Sequence, residues 1–239
     1  MVAVELIFVA AVYFVLLGFY VREDLFGKFN RATKLKMTLS SIFCLVGAWG
    51  VLSWGASISV GAVLILCGLV CALAGDYFLR FIELDARKFN RGILFFAGTQ
   101  ALFLASMFVV QGIDPVELIL TLVPLAVALI LMKKQNWQLG KAQGPLTVYM
   151  ILLSLMMVKA VVTALVPTDA APDDWTLPVG PQSISYALMA AGAIFFWISD
   201  LLLGIWKYHS RKNAITAWNS ITYFTGTFLI ALSLQPMFA

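Results

Sequence analysis

The chain has 239 residues, of which 62% are hydrophobic and only 12% are charged. This apolar share is far above that of an ordinary soluble domain, and it excludes a soluble globular protein. The formal net charge of +4 follows from loop charges of the kind that orient membrane proteins, so it does not indicate nucleic-acid binding.

Eight apolar segments, each long enough to cross a bilayer, follow one another along the chain. They lie at 3–21, 37–54, 58–79, 92–111, 115–132, 145–166, 184–206 and 214–235. Segments of this length predict helices, because barrel strands are shorter and alternate with polar residues. The first segment lacks the basic flank and small-residue cleavage site of a signal peptide and is expected to be retained. The sequence therefore predicts an all-α, multi-pass protein with a single integral membrane domain over 1–239.

Basic residues predict the orientation of these helices. Fifteen of the sixteen Lys and Arg residues fall in the connections that follow the first, third, fifth and seventh segments. The other connections carry only acids, including three in the long Pro- and Asp-rich loop 167–183, which is expected to be an outer cap without regular structure. The positive-inside rule then places both termini outside and the basic connections in the cytoplasm, in contact with anionic lipids.

Two aspartates, Asp76 and Asp200, lie inside predicted spans. Each follows a long apolar run and a small residue, and each has Leu three positions later. A carboxylate in hydrocarbon costs at least ~2.5–3.5 kcal/mol, so a chain that carries two in similar frames is expected to use both. Their spacing to Arg80 and Lys207 places them just below the inner headgroup layer. If the third and seventh helices are neighbours, one pocket holds both acids, and helices 1–4 and 5–8 are candidate parallel repeats.

Structural interpretations compete with these functional ones. Arg80, one turn after Asp76, is a candidate intrahelical ion-pair partner. Lys159, the one basic residue inside a span, is interpreted as snorkelling to the outer surface, with a covalent or ion-pathway role as the alternative. The single histidine, His209, cannot form a multi-histidine metal site, and we expect no metal and no cofactor.

Several segments resemble the YhhN-like membrane family, whose characterised members are lysoplasmalogenases. Gly192-Ala-Ile-Phe-Phe-Trp-Ile-Ser-Asp200-Leu is similar to the family's Gly-Ala-x-x-Phe-x-x-Ser-Asp signature, and Gly75-Asp76-x-x-Leu79 is similar to its other acidic motif. Smaller matches follow in the family's order: Lys34-Leu-Lys-Met37, Gly92-x-x-x-Phe96, Tyr149, Met156 and Thr222-Tyr223. The resemblance covers nearly the whole chain.

Three positions depart from the family pattern. Gln100 stands where the family usually has His, Thr227 where it has Gln, and Leu35 where it has Pro. Gln100 can form hydrogen bonds but cannot shuttle a proton as His does. Activity is therefore expected to persist only if the family His binds substrate rather than transferring protons.

The resemblance implies hydrolysis of the vinyl ether of lysoplasmalogen, giving a fatty aldehyde and glycerophosphoethanolamine or glycerophosphocholine. Vinyl ethers hydrolyse by protonation at carbon and capture of the resulting oxocarbenium ion by water, which two acids can share as they do in glycosidases. Asp200 is predicted to be the proton donor and Asp76 its anionic partner, although the roles can be exchanged. Predicted substrate-binding residues are Lys34, Lys36, Arg80, Gln100, Tyr149, Ser199 and Tyr223.

Two other function classes fit the same residues. Paired intramembrane carboxylates and repeats also suit a small-solute or proton-coupled transporter. A non-catalytic lipid-binding protein of the same fold is the third possibility. In each interpretation the partners are a lysophospholipid or other small ligand and membrane lipids, in a bacterial inner membrane or a eukaryotic internal membrane.

Overall fold

The computed structural model describes residues 2–55, 58–81, 86–112, 114–140, 143–165 and 184–236. These residues form eight α-helices: α1 (Val2–Leu25), α2 (Phe29–Ser53), α3 (Val60–Arg80), α4 (Ala86–Gln111), α5 (Pro115–Lys134), α6 (Gln143–Leu165), α7 (Ile184–Tyr208) and α8 (Asn213–Leu232). The all-α prediction is confirmed. The predicted outer cap at 167–183 lies outside the described residues.

Seven of the eight helices, α1 to α7, are long and apolar enough to cross a membrane, and the chain is an integral, multi-pass membrane protein. The eighth predicted segment is also helical, but α8 is not among these seven candidates. Its hydropathy is lowered by polar side chains, and Ser220, Thr222 and Thr227 are buried inside the protein. Helix α8 is thus more polar because much of its surface faces other helices.

Two helices that follow basic connections, α2 and α4, begin several residues before the apolar segments predicted from hydropathy. Helix α2 starts at Phe29 and α4 at Ala86, eight and six residues before the predicted span starts. The apolar segment ends where charged residues begin, but Lys, Arg and Ala are good helix formers and continue the backbone conformation. This extension places Lys34 and Lys36 on α2 itself instead of in a loop.

Glycines allow close helix packing in both halves of the chain. The most extensive contacts join α3 with α4 and α7 with α8. A Cβ on Gly192 of α7 would lie 2.7 Å from the Gly226 carbonyl oxygen of α8, and one on Gly75 of α3 would lie 2.7 Å from the Phe96 ring of α4. Small residues of this kind let membrane helices approach closely. The two pairs therefore fix the backbone next to Asp76 and near Asp200.

A buried ion pair attaches α5 to α6. Lys159 is completely buried, and its Nζ lies 2.8 Å from Oε1 of Glu117, which is 2% exposed. The snorkelling interpretation of Lys159 is therefore wrong. Glu117 lies in the first turn of α5 rather than in the preceding connection, so its side chain meets the lysine on α6 instead of solvent.

Candidate active site

A polar cavity of about 400 Å³ contains both intramembrane aspartates. Asp76 from α3 and Asp200 from α7 lie in its wall, together with residues of α1, α2, α4 and α8. Helices α3 and α7 do not pack extensively on each other, so the two acids face a shared space across the cavity. The cavity extends to Gly27 and Arg211, in the basic connections after α1 and α7.

The Asp76 carboxylate is almost completely buried and has partners on both oxygens. Its Oδ2 accepts hydrogen bonds from Ser40 Oγ on α2 and from the Tyr223 hydroxyl on α8, both at 2.7 Å. Its Oδ1 lies 3.1 Å from Lys36 Nζ, and the Lys36 side chain is only 14% exposed. Two hydroxyl groups and one ammonium group, from α2 and α8, therefore hold this side chain in place.

Arg80 does not pair with Asp76, and that structural interpretation is wrong. Its Nη1 lies 2.6 Å from Asp24 Oδ1 on α1, and its Nε donates to Thr33 Oγ1 at 2.8 Å. Because Arg80 is the last residue of α3, its long side chain reaches the ends of α1 and α2, while the shorter Asp76 faces Lys36 in the interior. Arg80 nevertheless lines the polar cavity.

The Asp200 carboxyl group has a different environment. Its Oδ2 accepts a hydrogen bond from the Tyr149 hydroxyl on α6. Three cations, Lys36, Arg80 and Arg211, line the same cavity as Asp200. Asp200 accepts from a phenol, whereas Asp76 is held by an ammonium group and two hydroxyl donors, so Asp200 is the better candidate for a proton donor.

The YhhN family model matches residues 32–234 of the chain. The chain belongs to the YhhN family. This family includes lysoplasmalogenases. Neither the curated proteins nor the solved structures contain a match to the chain.

Some of the residues that the sequence predicts to bind substrate line the polar cavity, and others do not. Four of them line the polar cavity, namely Lys36, Arg80, Ser199 and Tyr223. Tyr149 contacts Asp200 from α6. Lys34 is exposed on α2 and does not contribute to the described cavity wall.

Gln100, at the position where the YhhN pattern has His, lies behind the site. It is completely buried, and neither atom of its side-chain amide completes a hydrogen bond with the described residues. Its side chain is close to the Tyr149 hydroxyl, but it does not line the polar cavity. Gln100 is therefore placed to influence Asp200 through Tyr149 rather than by touching a ligand in that cavity.

A second cavity adjoins Asp200 on its other side. It has a volume of about 40 Å³ and lies between α4, α6 and α7, with mainly apolar walls. Leu79, Phe96, Asp200 and Leu203 line both cavities. Asp200 thus lies at the boundary between a polar and an apolar space.

Aromatic rings pack around the inner end of the polar cavity. The ring centroids of Phe96, Phe196 and Tyr223 lie 5.4 to 6.0 Å from one another. Phe196 is one turn from Asp200, on the side away from the basic connections. These packed rings separate the two acids from the opposite half of the helix bundle.

Sequence reasoning missed several polar residues of the site, notably Ser40, Asn219 and Asp24. None belongs to a motif that the sequence analysis recognised. Ser40 had one detectable signal, because it lies four residues after Lys36 and therefore on the same face of α2. That signal becomes visible only when the helix is extended through its basic residues.

Proposed function

We propose that the protein is a lysoplasmalogenase-like hydrolase that cleaves the vinyl ether bond of lysoplasmalogen. The products are a fatty aldehyde and glycerophosphoethanolamine or glycerophosphocholine. The position of Asp200 between the polar and the apolar cavity carries this proposal. In a lysoplasmalogen the vinyl ether joins the polar glycerophosphate part to the apolar chain. The reacting bond therefore has a polar group on one side and an apolar group on the other, as Asp200 does.

The reaction begins with proton transfer to carbon. Asp200, as a neutral carboxylic acid, gives its proton to the vinyl carbon remote from the ether oxygen, and an oxocarbenium ion forms. Water adds to the carbon that is bonded to the ether oxygen and gives a hemiacetal. The bond from the hemiacetal carbon to the glycerol oxygen then breaks: the hemiacetal hydroxyl gives up its proton to form the aldehyde carbonyl, and the glycerol oxygen gains one proton, so the two transfers balance.

In the proposed reaction Asp76 stabilises the oxocarbenium ion by its negative charge. Lys36, Ser40 and Tyr223 hold it as a fixed carboxylate, which disfavours a role as proton donor. A preorganised anion near the oxocarbenium carbon lowers the energy of the cationic transition state. The two aspartates then divide acid and electrostatic roles as paired carboxylates do in glycosidases.

The substrate phosphate is assigned to the outer part of the polar cavity. Lys36 is committed to Asp76, and Lys34 does not line the cavity. Arg80 and Arg211 both line it, and although Arg80 also holds Asp24 and Thr33, a guanidinium group has five N–H donors and suits phosphate oxygens. We therefore place the phosphate against these two arginines.

Eight membrane crossings fit the packing of α8. Near one end of α7, Ser185 Oγ donates to the Ser233 carbonyl of α8. Near the other end, Asn219 Nδ2 of α8 donates to the Ser199 carbonyl at 2.7 Å. Helix α8 thus runs antiparallel along α7, which supports a crossing of its own despite its polar residues. With the positive-inside rule, eight crossings place both termini outside and the cavity mouth at the cytoplasmic face.

Two parallel four-helix repeats are also part of this proposal. The contacts α2–α3, α3–α4 and α4–α6 in the first half correspond to α6–α7, α7–α8 and α8–α2 in the second. Helices α1 and α5 begin with the same tetrapeptide, Val4-Glu5-Leu6-Ile7 and Val116-Glu117-Leu118-Ile119. Asp76 and Asp200 then occupy equivalent places on the third helix of each repeat.

Transport and simple lipid binding are the alternatives. The packed rings of Phe96, Phe196 and Tyr223 close the site toward the opposite face, which favours a one-sided hydrolase over a transport pathway. A lipid-binding protein needs the cavity but no proton donor.

The deciding experiment measures aldehyde release. Purified protein in lipid nanodiscs is incubated with lysoplasmalogen, with the saturated 1-O-alkyl analogue as control substrate. We expect aldehyde from the vinyl ether alone, and none from Asp200→Asn. Binding of both lipids without aldehyde release would favour the lipid-binding alternative and refute the hydrolase.

A further inference from the structure

We infer that Ser199 is a catalytic residue whose hydroxyl group holds the water molecule that attacks the oxocarbenium carbon. The inference rests on the proposed hydrolysis and adds to it the position of the nucleophile. Ser199 is completely buried, lines the polar cavity between the two aspartates, and its Oγ has no hydrogen-bond partner among the described residues.

An unpartnered serine hydroxyl is unusual in these helices. Hydroxyl side chains in a helix commonly bond to the carbonyl four residues earlier. In the described helices this bond is made by Thr33, Thr38, Ser40, Ser53, Thr99, Thr121, Thr147, Thr216, Thr222 and Thr227. Ser199 and Thr163 are buried hydroxyl residues that make no hydrogen bond to a described residue, and of the two only Ser199 lines the polar cavity.

The backbone of Ser199 is fixed from the neighbouring helix. Asn219 Nδ2 on α8 donates to the Ser199 carbonyl at 2.7 Å, and Asn219 also lines the cavity. This bond ties α7 to α8 at the residue that carries the free hydroxyl. The Ser199 side chain therefore has a defined position in the cavity wall.

A water molecule suits this position chemically. Buried polar groups are nearly always hydrogen-bonded, and ordered water is the usual partner when no protein group is available. Ser199 Oγ can accept from a water or donate to it, and Asp200 is the next residue in the chain and lines the same cavity. A water held here is adjacent to the group that has just given its proton to the vinyl carbon.

The proton balance closes at Asp200. When the water oxygen bonds to the oxocarbenium carbon, one water proton passes to the Asp200 carboxylate and regenerates the carboxylic acid. Asp76 keeps its Lys36, Ser40 and Tyr223 partners throughout and exchanges no proton. Ser199 keeps its own hydroxyl proton and forms no covalent bond to the substrate.

The test replaces Ser199 with alanine and adds methanol as a competing nucleophile. Methanol captures the oxocarbenium ion as a mixed acetal, so the acetal-to-aldehyde ratio reports how well the site holds water. For Ser199→Ala we expect turnover to fall about tenfold, the order expected from the loss of one neutral hydrogen bond, with KM little changed and a higher acetal-to-aldehyde ratio. The control is Ser154→Ala, because Ser154 is equally buried but lies off both cavity walls.

Equal turnover and an equal ratio in Ser199→Ala and Ser154→Ala would overturn the inference while leaving the hydrolase intact. A second measurement does not depend on activity. A high-resolution structure of the wild type should show water density within hydrogen-bond distance of Ser199 Oγ that disappears in Ser199→Ala. No density there in the wild type would overturn the inference, whereas density without any aldehyde release would refute the hydrolysis and leave Ser199 as a water-binding residue without a catalytic role.

Discussion

The two aspartates have similar sequence surroundings and different chemical environments. Asp76 has an ammonium group and two hydroxyl donors on its oxygens, whereas Asp200 accepts from one phenol and lies beside an unpartnered serine. Environment rather than residue type separates the roles of paired carboxylates in known enzymes. The difference fits the proposed roles, with Asp76 as the fixed anion and Asp200 as the group that gives and takes the proton.

The same contrast appears between the two halves of the chain. In the first half a lysine of the second helix reaches the aspartate of the third, since Lys36 pairs with Asp76. In the second half the lysine of the second helix is farther from the basic connections, and Lys159 pairs with Glu117 of α5. Asp200 is left to Tyr149. If the halves are repeats, the lysine of the second helix lies at different positions in the two. Asp76 therefore has an ammonium partner from that helix and Asp200 has a phenol.

Removing the proton of Asp200 should have the largest effect. Asp200→Asn keeps the size of the side chain but cannot donate a transferable proton, and general acid catalysis typically contributes ~10²–10⁴-fold. We expect at least a hundredfold loss of aldehyde release, with the protein still folded. Asp114→Asn is the matched control, because Asp114 caps α5 and asparagine is an equally good cap. Undiminished release from Asp200→Asn would contradict the assignment of the acid.

Removing the cation of Asp76 should be the next largest change. Lys36→Met leaves a buried carboxylate without its counter-ion, and breaking such a pair costs about 3–5 kcal/mol. We expect a decrease of this order in the free energy of unfolding, measured by denaturant titration in mixed micelles. Lys34→Met is the control, because Lys34 is exposed and lies outside the described cavity wall. Equal stability of the two variants would show that Asp76 does not depend on Lys36.

The sequence predicted the apolar helices and both acids, because long apolar runs and a carboxylate inside them are strong local signals. It did not identify the cation of Asp76. Arg80 follows Asp76 by one helical turn, whereas Lys36 lies on another helix far earlier in the chain, and only the packing of α2 on α3 brings Lys36 to the carboxylate. Ser199 was named from a motif, but its missing hydrogen bond is a property of the folded helix pair. Lys159 was misinterpreted because its partner, Glu117, lies 42 residues away in the sequence.

Removing the phenol at Asp200 should have an intermediate effect. Tyr149→Phe deletes the hydroxyl that donates to Asp200 Oδ2 and preserves the ring. Loss of one hydrogen bond to a charged or polar partner costs about 1–3 kcal/mol, so we expect turnover to fall by roughly tenfold to a hundredfold. Tyr186→Phe is the control, because the Tyr186 hydroxyl has no hydrogen-bond partner among the described residues. If both variants hydrolyse lysoplasmalogen at the wild-type rate, Tyr149 does not position Asp200.

Changing Gln100 should have the smallest effect and the most specific one. Gln100→His replaces a buried, unpartnered amide beside Tyr149 with the residue that the YhhN pattern has there. Because Gln100 does not line the polar cavity, the substitution should leave KM unchanged and keep or raise kcat, and this change should vanish in a Tyr149→Phe background. Gln111→His, at the last residue of α4, is the control for replacing a glutamine by histidine on this helix. A raised KM would instead mean that residue 100 touches substrate, and an equal gain with and without Tyr149 would show that it acts on Asp200 by another route.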